Sequence, residues 1–183
     1  DAVRTGMLFS SPAGNDLLYD AKLIEQGRNF GNKIWNAFRL VQSWEVDHSI
    51  SSKENESSIA WFKSKFNKTL AEVEDHFSKF RMRDALMSTY KLVWGDFGSW
   101  YLEMVKPDYQ KPIDPETKDA TIRFFEKILK LLHPFMPFIT EELFHALNNR
   151  SDDEDLIIAQ WPKAESYSND LLDHAEFAFE IIS

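Results

Sequence analysis

What most restricts how this chain folds is the return of apolar residues at three- and four-residue steps over four long stretches. The first stretch covers residues 20–44, with Leu23, Gly27, Phe30, Ile34, Phe38 and Val41 on one side. The second, 56–79, runs through Ile59, Phe62, Phe66, Leu70, Val73 and Phe77. The third, 82–106, carries Leu86, Tyr90, Val93, Phe97, Tyr101 and Val105. The fourth begins near 116 and includes Phe124, Phe125, Ile128, Leu131 and Leu132. It must stop or kink at His133-Pro134, because proline lacks a backbone N–H and clashes with the preceding turn. A shorter helix resumes at Pro137, and a last one is expected over 168–181, capped by Ser168 or Asn169. No alternating run of strand length occurs before residue 156, and a short extended segment is expected near 156–161. The spacing predicts an all-α protein, an antiparallel helix bundle.

Polar, proline-rich and serine-rich segments separate these runs. Ser10–Asp16, Asp47–Ser58, Pro107–Pro115 and Asn148–Asp155 read as turns or loops. The first residue is Asp1, and the opening nine residues read as the inside of something already under way, so the chain is expected to be a fragment. With 43% hydrophobic and 28% charged residues the composition is that of an ordinary globular protein. Its 15 Phe and 6 Trp point to a core of packed rings. No run is apolar enough for a membrane span, and with no Cys a reduced, cytoplasmic setting is expected.

Enzymatic chemistry finds little support. There is no Cys nucleophile, the glycines form no phosphate loop, and the five His are scattered. Glu141 and His145 lie four apart on one helix face, a spacing able to hold a metal. With no third ligand in sight they read as an exposed i,i+4 pair, and the acidic run Asp152–Asp155 as solvated charge. No metal site is expected.

Net charge is −9, the wrong sign for indiscriminate binding to nucleic acid. Residues 1–44, however, hold five Lys/Arg against four Asp/Glu, a net of +1, while the rest hold 16 against 26. Contact with a polyanion therefore belongs in the first quarter. Opposite the apolar stripe of the 20–44 helix stand Lys22, Arg28, Asn29, Asn32, Lys33, Asn36 and Arg39. Asn is an indifferent helix former, so three on one face call for a reason. Amides suit base edges and cations suit phosphates. The alternative is that these amides bond neighbouring helices and the cations only solubilise.

The same helix carries a resemblance. Gly27-Arg28-Asn29-Phe30-Gly31-Asn32-Lys33-Ile34-Trp35-Asn36-Ala37 resembles the G-R-N-F-x-N-K-x-W-N-A helix of valyl-tRNA synthetases. Ser11–Asp16 is similar to their S-P-x-G-N-D turn, and Asp1-Ala2-Val3-Arg4 to the D-A-[LV]-R that follows the catalytic domain. Val93–Glu103 matches V-W-x-x-F-x-x-W-Y-L-E, and Leu132–Leu143 a block shared by the valyl, isoleucyl and leucyl branch. The resemblance covers 1–162.

It implies an anticodon-binding bundle of the class Ia type, gripping the anticodon stem-loop of valine tRNA, whose middle and third anticodon bases are the chief identity elements. Lys33, Asn36 and Arg39 fall on positions that contact the anticodon in the family, Lys22 is a weaker candidate, and Arg28 and Asn32 share their face. Where the family commonly has an aromatic after the arginine, this chain has Leu40, so base stacking must be supplied differently. Phe38 falls on the apolar side, and Trp94, Trp100 and Tyr101 read as core. Glu103 and Lys106 read as a surface ion pair.

No H-I-G-H-like or K-M-S-K-S-like segment is present. The resemblance thus implies that ATP is used by a catalytic domain outside these residues, with no cofactor and no catalysis within them. The expected division is a connection at 1–19, the bundle at 20–150, and an extension at 151–183 leading toward an arm. The expected partner is valine tRNA, with no DNA, no membrane and a monomeric state. Two rivals are the equivalent isoleucyl domain and a helical protein–protein interaction module.

Overall fold

A computed structural model of the chain describes residues 1–10, 19–148, 150–151 and 154–182. Of the turn expected at Ser10–Asp16, Ser10 ends α1 and the rest lies outside them, as does the first half of the acidic run Asp152–Asp155. The described residues form helices joined by turns, with no strand beyond a single backbone bridge between Val46 and Ile113. The helices are α1 (Ala2–Ser10), α2 (Ala21–Gln42), α3 (Glu56–Ser78), α4 (Met82–Lys91), α5 (Leu102–Val105), α6 (Pro115–Leu132), α7 (Pro137–Leu147) and α8 (Asn169–Ile182). None is long and apolar enough to cross a membrane.

Each predicted stripe is the buried one. Phe30, Ile34 and Val41 of α2 and Phe62, Phe66, Leu70 and Val73 of α3 are sealed in the core with Phe125, Ile128 and Leu132 of α6. The centre is a ring cluster. Phe62 lies 5.3 Å from Phe97, 4.9 Å from Tyr101 and 5.0 Å from Phe124. Such pairs add about 0.5–1.5 kcal/mol each beyond area burial. Tyr101 donates its buried hydroxyl proton to Thr121 Oγ1 at 2.9 Å, since the Thr121 hydroxyl itself donates to the Thr117 carbonyl. Burial pushes the Tyr101 phenol up to about 12.

The expected third helix is not uniform. Between α4 and α5 the backbone widens into a π-helix over Leu92–Tyr101. In an α-helix, apolar residues at repeated four-residue steps drift around the axis by about 40° per step. Val93, Phe97, Tyr101 and Val105 step by four, and all four are buried. The looser winding keeps them in line.

A helix the periodicity did not announce, α1, packs along α2. Its nine residues include a glycine, too few and too weak to be helical unaided. Close contact holds it. A Cβ on Gly6 would stand 2.7 Å from the Ile24 Cα, and one on Gly27 would stand 2.6 Å from the Ala2 carbonyl oxygen. The two backbones meet where only hydrogen fits.

Asp1 and Arg4 then fasten α1 to the corner between α6 and α7. The Asp1 carboxylate accepts from the backbone N–H groups of Phe138 (3.2 Å) and Ile139 (2.6 Å), in the first turn of α7. Met136, at the cap position, supplies no side-chain cap of its own. Asp1 therefore serves as a cap from a distant part of the chain. Arg4 donates twice to the Pro134 carbonyl, at 3.2 and 2.8 Å.

The extended segment expected near 156–161 is in part something else. Leu156–Ile158 form a 3-10 turn, and the backbone becomes extended at Ala159. Among the described residues no strand lies alongside to pair with it, and the Leu156 N–H is taken by the Glu141 carboxylate at 2.6 Å. Beyond it Glu165 is held by Lys63 at 2.7 Å and its N–H by Asn67 at 2.9 Å, while Ser168 caps α8 through the Leu171 N–H at 3.2 Å. Phe179 stacks on Trp100 at 4.0 Å.

Gly27→Ala should therefore lower stability by about 1–3 kcal/mol through overpacking, despite the better helix propensity of alanine. The melting temperature checks this, and an unchanged or raised value would contradict the close crossing.

Candidate nucleic-acid interface

Asp20 starts the helix on which the predicted site lies, accepting from the Lys22 N–H at 2.9 Å. Because Gly27, Phe30, Gly31 and Ile34 are buried, the opposite face is turned to solvent. Lys22, Arg28, Asn29, Asn32, Asn36 and Arg39 are all exposed on it. Among the described residues, the side chains of Asn29, Asn32 and Asn36 make no hydrogen bond and Arg39 has no carboxylate partner. The alternative that these amides bond neighbouring helices thus finds no support within the described residues. Arg28 faces Glu25 at 3.6 Å with both side chains mostly in water, an interaction worth little.

Lys33 is different. It is half-buried, and its ammonium sits 4.1 Å from the centre of the Trp94 ring and donates to Ser99 Oγ at 3.3 Å. Burial moves its pKa below the ordinary lysine value. Ser99 in turn donates to the Trp94 carbonyl at 3.0 Å, five residues back. The π-helix thus presents a ring and a hydroxyl to one cation of α2. A cation–π contact of this kind is worth about 0.5–1 kcal/mol, less than the roughly 1.5–3 kcal/mol of a hydrogen bond to a charged group. The ring and the hydroxyl together hold the lysine against the π-helix, at the edge of the open face.

Leu40 is 36% exposed and lines a cleft of about 390 Å³ at the C-terminal end of α2. Across that cleft stand Lys106, Pro107, Tyr109 and Lys111. Tyr109 is 90% exposed. Phe38 turns inward, its ring 6.3 Å from Phe125, as its wheel position predicted. Trp94, Trp100 and Tyr101 all pack with the core. Glu103 and Lys106 pair at 2.6 Å in the open.

Two aromatics escaped the sequence reading. Trp35 is 38% exposed, and on α2 it sits three residues after Asn32 and four before Arg39, among the predicted contacts. Its place within the N-K-x-W-N-A block was the available signal. Tyr109 lies far from α2 in sequence and had none. Tyr109 stands across the cleft from Leu40, while Trp35 lies one turn before Arg39 with its ring 6.0 Å from Phe38.

Residues 60–183, 124 of the 183, match the family described as the anticodon-binding domain of tRNA ligase. The chain is 54% identical over its whole length to the valine–tRNA ligase of Parabacteroides distasonis and 51% to that of Christiangramia forsetii. It is 36% identical over 93% of its length to that of Zymomonas mobilis. These alignments include α2, which precedes the family match. The chain spans about a fifth of the length of these curated relatives, 21%, 21% and 20% respectively.

Asn32→Ala and Asn36→Ala, followed by thermal melting, should leave stability unchanged or raise it by up to about 0.5 kcal/mol each, since alanine is the better helix former and no bond is lost. A loss above about 1 kcal/mol would show that the amide is bonded within the fold. Helix by helix, ring cluster and match together, the chain belongs to the anticodon-binding domains of tRNA ligases.

Proposed function

We propose that this chain grips the anticodon stem-loop of a valine tRNA through the solvent face of α2 and the cleft at its C-terminal end. One observation carries the proposal: Asn32, Asn36 and Arg39 stand exposed on a rigid helix with no partner among the described residues. Their amides can donate to and accept from base edges, while Arg39, Lys22 and Arg28 meet phosphates. Lys33 reaches out from Trp94 when a phosphate is offered. Trp35 and Tyr109 provide stacking in place of the aromatic that Leu40 replaces. That its relatives are valine–tRNA ligases supports valine tRNA as the cognate partner.

On this reading, residues 20–150 are the binding unit, 1–19 join it to a catalytic domain and 151–183 lead toward an arm. Valine activation with ATP belongs to parts of the parent ligase outside these residues, a cytoplasmic enzyme, and the segment works as a monomer without a cofactor. Phosphate contacts set its orientation and a few polar contacts test the bases.

Titration of a fluorescent valine anticodon stem-loop at low salt tests the reading. Arg39→Ala and Lys33→Ala should each weaken binding at unchanged helicity and reduce the salt slope by about one phosphate contact. Equal affinity for valine and isoleucine stem-loops would refute the valine specificity, and no RNA binding at all would favour a protein–protein module. Trp35→Ala or Tyr109→Ala should cost about 1–3 kcal/mol if the ring stacks on a base, roughly 5- to 150-fold in affinity.

A further inference from the structure

On the side of the molecule where α6 turns into α7, the structure supplies the ligand the sequence lacked. His145 Nε2 lies 3.3 Å from Glu141 Oε1 and 3.3 Å from Asp155 Oδ1. All three ligand atoms lie within 4.8 Å of one another. We propose that Glu141, His145 and Asp155 form a binding site for a zinc-type divalent ion.

The distances suit that ion. With bonds of about 2.0–2.2 Å to imidazole nitrogen and carboxylate oxygen, a tetrahedral zinc holds its ligand atoms about 3.3–3.5 Å apart. Two carboxylates and an imidazole also offset a double positive charge. Mixed nitrogen and oxygen donors favour a borderline metal such as zinc over magnesium or calcium, which prefer all-oxygen shells.

The surroundings orient these donors. Glu141 Oε1 accepts the Leu156 N–H at 2.6 Å, which holds the carboxylate and brings the Asp155 loop back onto α7. His133, at the end of α6, faces the other oxygen, its Nε2 4.0 Å from Glu141 Oε2. The His133 ring is held in place by the Thr140 hydroxyl, 2.9 Å from its Nδ1. The site opens into a cavity of about 510 Å³ bordered by Phe138, Glu142 and Ile157, leaving room for water to complete the shell. A bound ion would bridge the His145 imidazole and the two carboxylates, stapling α7 to the segment that follows it.

Zinc titrated into the 183-residue chain near neutral pH, by calorimetry with parallel melting curves, tests this. One ion per chain and a raised melting temperature are expected. His145→Ala and the near-isosteric Asp155→Asn should each weaken zinc binding by about tenfold or more and abolish the rise, with helicity retained. His174→Ala, an exposed histidine on α8, should leave it unchanged. Should His145→Ala lose helicity, Asp155→Asn alone decides. Absence of saturable binding, undiminished binding in Asp155→Asn, an equal loss in His174→Ala, or magnesium competing on equal terms would each overturn the assignment.

Discussion

Everything that α2 does depends on how it is rotated about its own axis, and that rotation is set where it crosses α1. Gly6 and Gly27 let the two backbones approach until a methyl group on either would strike main chain. A helix seated against backbone has no side chains to repack, so its rotation has little slack. The consequence reaches both faces. Phe30, Ile34 and Val41 are delivered to the core, and Asn32, Asn36 and Arg39 are left in solvent. A pre-aimed polar face spares the ordering cost that a mobile one incurs on binding. The same crossing explains why Gly27 opens the motif that the helix carries.

A second constraint ties this helix pair to the rest of the bundle. Proline at 134 and 137 interrupts the run from α6 to α7 and leaves the first turn of α7 with N–H groups that need acceptors. Asp1 provides them from the other end of the chain, and Arg4 takes the carbonyl that the break exposes. The break is thus closed by the element that also orients α2. The π-helix contributes differently. Its slack winding keeps four aromatic and aliphatic residues in the core and places Trp94 and Ser99 under the Lys33 ammonium.

Much of this was legible in the sequence because helix burial is periodic. The stripes on α2, α3 and α6 are the buried ones, the proline break falls where the ring forbids continuation, and Phe38 turns inward as its angular position required. What periodicity cannot carry is contact between residues far apart in the chain. α1 owes its helicity to α2 and α7, so its nine residues alone gave no sign of it. The turn at Leu156–Ile158 owes its shape to Glu141, and the same carboxylate with His145 lacked Asp155 until the loop folded back. The winding of Leu92–Tyr101 was written in four-residue steps, but an α-helix tolerates such steps over a short run. Of the candidate residues, those the motif singled out on α2 other than Lys33 do stand exposed, while the exposure of Trp35 and Tyr109 carried no periodic signal.

The charge balance shapes how such a domain meets RNA. A net of −9 means the molecule as a whole repels a polyanion, so affinity cannot come from its long-range field. At physiological ionic strength, charges beyond about 8 Å are largely screened, and a contact is then governed by the groups within it. On α2 those groups are cations and amides, with Glu25 already facing Arg28. Binding built this way is weak for any RNA that fails to present its phosphates and bases together. An acidic body with one local polar face therefore trades general affinity for discrimination, which is what the reading of a few bases requires. Leu40 fits the same logic: with no ring directly after Arg39 in sequence and Phe38 turned inward, the exposed ring at this end of α2 is Tyr109, across the cleft.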